Sequence, residues 1–182
     1  MIPGWIIGVL TFPGIIVHEA AHLLFCRLRG LAVLDVRFFT MKAGGMEGFA
    51  GGWVVTEEHH DFLTSLLVCM GPLLINSVLC VLFCFPSMVP LRIFDRGDVL
   101  DYAFIWLGVS IGMHAFPSSG DAAVLWRQAT KAAGGGNMLA ILTMPLVGAI
   151  YVANFLSILW FDVIYAIALG FGLPMLVLER VV

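Results

Sequence analysis

Formal charge is what this sequence has least of. Only 12% of its 182 residues are Asp, Glu, Lys or Arg, while 61% are hydrophobic. An ordinary soluble domain carries about 25% of the first kind and about 45–50% of the second. The deficit excludes intrinsic disorder, a coiled coil and a secreted disulfide scaffold, and it argues against a soluble globular domain. A mean hydropathy of +1.03 points instead to an integral membrane protein that faces lipid as well as itself. Basic residues are scarce too. Nine Lys and Arg against twelve Asp and Glu leave a net charge of −3, without the basic patch that nucleic-acid binding requires. The four cysteines, Cys26, Cys69, Cys80 and Cys84, form no CxxC pair and sit in apolar stretches. They read as small buried hydrophobes. No Lys or Arg precedes the first apolar run, as the positive region of a cleavable signal would require, so that run is expected to persist as a membrane helix.

What is present is a series of long apolar stretches. Residues 4–26 carry a single formal charge, Glu19. As a helix they would span about 34 Å, with Pro13 as a point of kinking. Residues 62–85 carry no charge, and residues 99–116 carry only Asp101. Residues 138–178 carry only Asp162. As one helix this last stretch would measure about 60 Å, twice the hydrocarbon thickness, so it is expected to fold back. A turn at Trp160-Phe161-Asp162 would give spans 138–160 and 162–178, and a break near Asn154 is the alternative. Residues 31–39 alternate, residues 51–55 are a second candidate strand, and Gly44-Gly45-Met46-Glu47-Gly48-Phe49 lies between them, so residues 31–55 read as a small β-hairpin with a glycine-rich connection. The expected fold is one all-α polytopic membrane domain over residues 1–182. It has about five transmembrane helices, four if the last piece lies on the surface, and a hairpin-like insertion between the first two. Five spans put Arg27, Arg29, Arg37, Lys42, Arg127, Lys131 and Arg180 on one side, and Arg92 and Arg96 on the other. The richer side should be cytoplasmic and the N-terminus outside.

Within the first span, His18-Glu19-Ala20-Ala21-His22 is an HExxH motif. Residues four apart on a helix share a face, so both imidazoles can reach one Zn2+ ion, with Glu19 beside them to take a proton from activated water. A carboxyl and two imidazoles inside an apolar helix are costly to insert and are functional by default. A catalytic zinc keeps about three protein ligands and an open position. Glu57, Glu58, His59 and His60 read as the solvated start of the second span, and Cys26 as packing. Asp121, in the Pro- and Gly-containing stretch Phe116-Pro117-Ser118-Ser119-Gly120-Asp121, is the better third ligand. Taken locally, it reads more readily as the cap of a short helix over residues 122–133.

Three features now coincide in order: HEAAH in the first span, Gly71-Pro72-Leu73-Leu74-Ile75-Asn76 in the second, and the Pro117–Asp121 stretch after the third. Together, over residues of about 10 to about 130, they resemble the site-2 protease family of intramembrane zinc metalloproteases. The third motif departs from the family's NxxPxxPLDG. His114 stands at the Asn position, the second Pro is missing, Gly120 precedes Asp121 in place of Leu, and the stretch is one residue shorter. The resemblance implies His18, His22 and Asp121 as zinc ligands and Glu19 as the catalytic base. It also implies Asn76 in substrate or oxyanion contact, and His114 near substrate or behind the ligands. The hairpin resembles the family's membrane-dipping β element, which presents substrate as a strand. The implied activity is hydrolysis of peptide bonds in membrane-embedded or membrane-proximal protein substrates, with zinc nearer the cytoplasmic face of a prokaryotic-type cell membrane. The length leaves no room for a PDZ or CBS domain, so such regulation would fall to a separate membrane partner. A zinc-binding, non-proteolytic membrane scaffold or chaperone, and a small cation or proton transporter, are the rival readings.

Overall fold

The computed structural model describes residues 4–42, 49–57 and 61–181. The first apolar stretch is two helices, α1 (Gly4–Leu10) and α2 (Phe12–Leu28), which part at Thr11. Pro13 lacks an N–H and is best placed in the first turn of a helix, where no donor is needed, and it is the second residue of α2. The Thr11 hydroxyl bonds back to the Ile7 carbonyl at 2.8 Å and closes the break.

A hairpin follows. Strand β1 (Val33–Lys42) pairs antiparallel with β2 (Phe49–Thr56), from Val33 opposite Thr56 to Lys42 opposite Phe49. The register slips between Arg37 and Thr40, and the opposing residue is Gly52. The glycine-rich connection expected at residues 44–48 lies outside the described residues. The hairpin climbs alongside α2 to α1: the Phe39 ring sits 5.9 Å from that of Phe12, and Ala50 packs against Gly8. Arg37 and Lys42 therefore ride on the hairpin, and do not mark the end of a helix.

Helix α3 (Phe62–Ile93) runs unbroken for 32 residues, about 48 Å, through Pro72, Pro86 and Pro90. Neighbouring helices make such prolines tolerable in a membrane. Asp61 caps it, accepting from the Thr64 N–H and from the Arg29 guanidinium, each at 3.1 Å. The Thr64 hydroxyl, with Arg29, holds the Asp61 carboxyl below the usual carboxylate range. Helix α4 (Val99–Met113) and α2 both run antiparallel to α3. Phe25 meets Gly71 near one end, and Gly112 meets Cys80 further along. Where α2 crosses α4, a Cβ at Gly14 would collide with the Ser110 carbonyl. Only glycine allows that approach.

After a break at His114–Ser118 the chain resumes as α5 (Ser119–Gly134), which returns as α6 (Met138–Leu156). Phe62 and Cys69 of α3, Ala122, Leu125 and Ala129 of α5, and Val147 and Ile150 of α6 form the buried cluster that fixes this pair. A 3₁₀ turn (Ser157–Leu159) and Trp160, at φ +64°, lead into α7 (Phe161–Ile167), a π-helical turn (Ala168–Gly172) and α8 (Leu173–Val181).

Phe62–Ile93, Met138–Leu156 and Phe161–Arg180 are long and apolar enough to cross a membrane, and Val99–Met113 is shorter. The described residues thus form a polytopic helical membrane protein, without five clear membrane helices. The expected fold-back at Trp160 is the main correction. The chain breaks there, but its halves do not pair with each other. Helix α6 packs on α5, while α7 packs on α4 and α8 on α3. The reason is what the break holds. The Asn154 amide donates to the Pro117 carbonyl at 3.0 Å, and the Phe116 ring sits 5.3 Å from Phe161 and 4.8 Å from Tyr165. The two helix breaks are tied together, and α8 ends beside the far end of α3, where the Arg92 guanidinium meets the Met175 sulfur. Arg180 therefore belongs with Arg92 and Arg96.

Candidate metal centre

Helix α2 carries His18 and His22 one turn apart, with ring centroids 4.7 Å apart, and buries both with Glu19. The first turn of α5 brings Asp121 to them. His22 Nε2 lies 3.1 Å from His18 Nε2 and 3.3 Å from Asp121 Oδ2, and His18 Nε2 lies 3.7 Å from the same oxygen.

The other nitrogen of each ring decides what these atoms are. His18 Nδ1 lies 2.7 Å from the His114 carbonyl and His22 Nδ1 lies 2.9 Å from the Val68 carbonyl. A carbonyl only accepts, so each Nδ1 carries the hydrogen, and it is Nε2 that offers a lone pair when the ring is in its neutral, ligating form. Two lone pairs and a carboxylate oxygen then converge with no donor among them. Such a set suits a cation, and the ring orientation set by outer hydrogen bonds is the arrangement that tunes histidine ligands. Among the described residues, His18, His22 and Asp121 are the group whose ligand atoms converge, all within 4.8 Å of one another. Two imidazoles and a carboxylate suit a single Zn2+ with room for a fourth ligand. This buried HExxH-plus-Asp cluster among apolar membrane-spanning helices has the make-up of a zinc-dependent intramembrane protease active site.

No protein-family model, curated protein or solved structure significantly matches this chain. The chemistry of the site therefore rests on its own geometry.

The choice between cap and ligand at Asp121 dissolves on inspection. Helix α5 begins one turn earlier than expected, with Ser118 as its cap and Asp121 as the third residue of a reciprocal capping box. Asp121 Oδ2 accepts from the Ser118 N–H at 2.9 Å and its hydroxyl at 2.7 Å while facing both histidines. Ser118 thus orients the carboxylate, and the Ser-x-x-Asp spacing was the signal for it. Asn76 is fully buried. Its amide nitrogen donates to the carbonyls of His114 (2.9 Å), Ile111 (3.2 Å) and Gly14 (3.4 Å), and its oxygen has no partner. The His114 ring bonds the Thr11 hydroxyl at 2.8 Å, while its carbonyl receives His18. Glu57 accepts from the Ala32 N–H at 3.2 Å, outside the cluster. Glu58, His59 and His60 lie outside the described residues. Cys26 lines a cavity beside His22 without joining the ligand set.

Two cavities meet over Glu19. One of about 240 Å³ includes His22, Asp121, Cys26, Thr56 and Ser65, and leads toward the Asp61 end of α3. The other, of about 460 Å³, includes His18, His114 and both helix breaks. Glu19, Gly52 and Ser118 border both. A Cβ at Gly52 would lie 2.5 Å from Glu19 Cγ and 2.5 Å from the Arg37 carbonyl, so the strand sits directly on the acid. Backbone on one side leaves no room to yield. Gly52→Ala is expected to keep bound zinc and lower hydrolysis at least about tenfold by displacing Glu19; parallel metal and activity assays would check this.

Proposed function

We propose that this chain is an intramembrane zinc metalloprotease of the site-2 protease type, cutting transmembrane protein substrates within or beside the bilayer. The observation that carries the reading is the convergence of two imidazole nitrogens and a carboxylate oxygen beside Glu19, at the depth where two membrane helices break. His18, His22 and Asp121 would hold the ion. When bound, zinc supplies Lewis acidity, making water nucleophilic at neutral pH and polarising a scissile carbonyl.

The chain's own groups do the rest. The Glu19 carboxylate takes a proton from the attacking water and returns it to the amide nitrogen as the C–N bond breaks. Irregular backbone at membrane depth occurs only where it is buried in protein or lines a wet cavity, and the two breaks and β2 supply such a lining. A substrate helix hides its amides in its own hydrogen bonds, so it must unwind before attack. Arg27, Arg29, Arg127 and Lys131 near one end, against Arg92, Arg96 and Arg180 at the other, tip the count by one residue toward a cytoplasmic assignment for the first end and an outside N-terminus. The Val68 contact to His22 falls about 10 Å along α3 from that end. In this reading the described residues make four crossings, with α4–α5 and α6–α8 each a broken traverse.

Asn76 acts here as a positioning residue. It holds the His114 carbonyl that orients His18. Asn76→Ala is expected to weaken zinc binding about 10–100-fold, the usual effect of removing an outer-shell partner; competition against a calibrated chelator would measure it. The activity is tested in proteoliposomes with labelled transmembrane peptides. Cleavage that stops with 1,10-phenanthroline and returns with zinc supports the proposal. Zinc-loaded protein that cuts no peptide, with or without a Gly-Pro break, would turn the reading toward a non-proteolytic scaffold.

A further inference from the structure

The larger cavity reaches well past the metal ligands. His22 and Asp121 do not border it, and its far side is built by the break between α6 and α7: Asn154, Ser157 and Asp162. Asp162 is the sole charge in the final apolar stretch. The Ser157 hydroxyl shares its one hydrogen between Asp162 Oδ1 at 2.9 Å and the Ala153 carbonyl at 3.1 Å, and so holds the carboxyl at the cavity wall. Trp160 takes the left-handed conformation just before it, a strained state for a non-glycine residue that is stored at functional positions. The Asn154–Pro117 hydrogen bond and the Phe116 aromatic contacts lock this turn against the α4–α5 break.

The lining has one more property. Among the described residues, the charged ones that border the cavity are Glu19 and Asp162, with no Lys or Arg. Ile15, Met113 and Phe116 supply apolar wall. A cavity of about 460 Å³ is large enough for a side chain and its flanking backbone. An apolar wall ending in a fixed carboxyl matches a side chain with an aliphatic stem and a cationic tip. An ionisable group at membrane depth has a functional explanation by default, with a partner to be named.

We propose that Asp162, with Ser157 and Asn154, forms a subsite that selects a Lys or Arg side chain near the scissile bond of the substrate. The proposal rests on the proteolytic reading for its purpose, but its binding chemistry can be tested without turnover. The probes are fluorescent transmembrane peptides of Leu and Ala with a central Gly-Pro. Each carries one Lys, Leu or Glu at a scanned position within four residues of the break. Binding is measured to zinc-loaded Glu19→Gln protein in nanodiscs. At one or two positions the Lys peptide should bind at least tenfold tighter than the Leu peptide. Asp162→Asn, which keeps the Ser157 hydrogen bond, should erase that preference, and Asp162→Lys should transfer it to the Glu peptide. Zinc content of each variant reports that the site remains folded. Equal binding of Lys, Leu and Glu peptides, no binding of any peptide, or a Lys preference that survives Asp162→Asn would overturn the subsite. Cleavage of the same peptides by the unmutated protein reports the other reading separately. Cleavage without a Lys preference removes the subsite alone, and a preference without cleavage removes the protease alone.

Discussion

Protein purified without chelators is expected to carry about one zinc per chain, and His22→Ala to carry none. The magnitude follows from the site's construction. Each histidine has its Nδ1 hydrogen committed to a backbone carbonyl, so Nε2 is the ring atom aimed at the site. Removing one of three such ligands takes away more than an outer-shell partner does, so zinc affinity should fall by more than about 100-fold. Asp121→Asn is the more informative variant. An amide oxygen can still accept from Ser118, so the cap of α5 survives while the negative charge is lost. Zinc should drop and the helix should remain. Ser118→Ala, by contrast, removes the cap and the orientation of the carboxylate, and should cost both some stability and some zinc. Metal analysis by mass spectrometry, with circular dichroism on the same samples, separates the two. Full zinc occupancy in Asp121→Asn would move the third ligand elsewhere, with Cys26 and His114 next to test. Because zinc binds only the folded site, its removal should also lower the melting temperature of the parent protein more than that of His22→Ala.

Glu19→Gln should retain the ion and lose about 10²–10⁴ in hydrolysis rate, the range for a positioned general base. The change is nearly isosteric, and Glu19 is not among the converging ligand atoms. It lies beside them at the junction of the two cavities, where water from one side and substrate from the other can meet. Single-turnover cleavage of a bound peptide reads the chemical step alone. Unchanged cleavage by Glu19→Gln would exclude this residue as the base. Zinc loss in Glu19→Gln would instead make it a ligand. Neither the scaffold nor the transport reading predicts a variant that holds metal, binds peptide and fails only in hydrolysis.

Much of this was local and therefore legible. Apolar composition sets the membrane class because unpaired charges are costly in lipid. Helical periodicity brings His18 and His22 to one face whatever surrounds them. The alternation of residues 31–39, the second candidate strand at 51–55 and the glycines between them are enough for a hairpin, and Pro13 flags the irregularity that in the fold parts the first stretch into two helices. Other features had no local signature. His18 and His22 are oriented by carbonyls 96 and 46 residues away. Asp121 is cap and metal-facing carboxylate at once because α5 packs its first turn against α3 beside Cys69. Hydropathy shows that residues 138–178 are too long for one crossing, but cannot say whether they double back or step sideways. That was decided by Asn154 and Phe161 finding the other helix break. By itself, the sequence determined the chemistry on one helix face and the membrane around it. The tertiary structure decided which backbone groups aim those side chains and which broken helices open a cavity beside them, because both depend on contacts between distant segments.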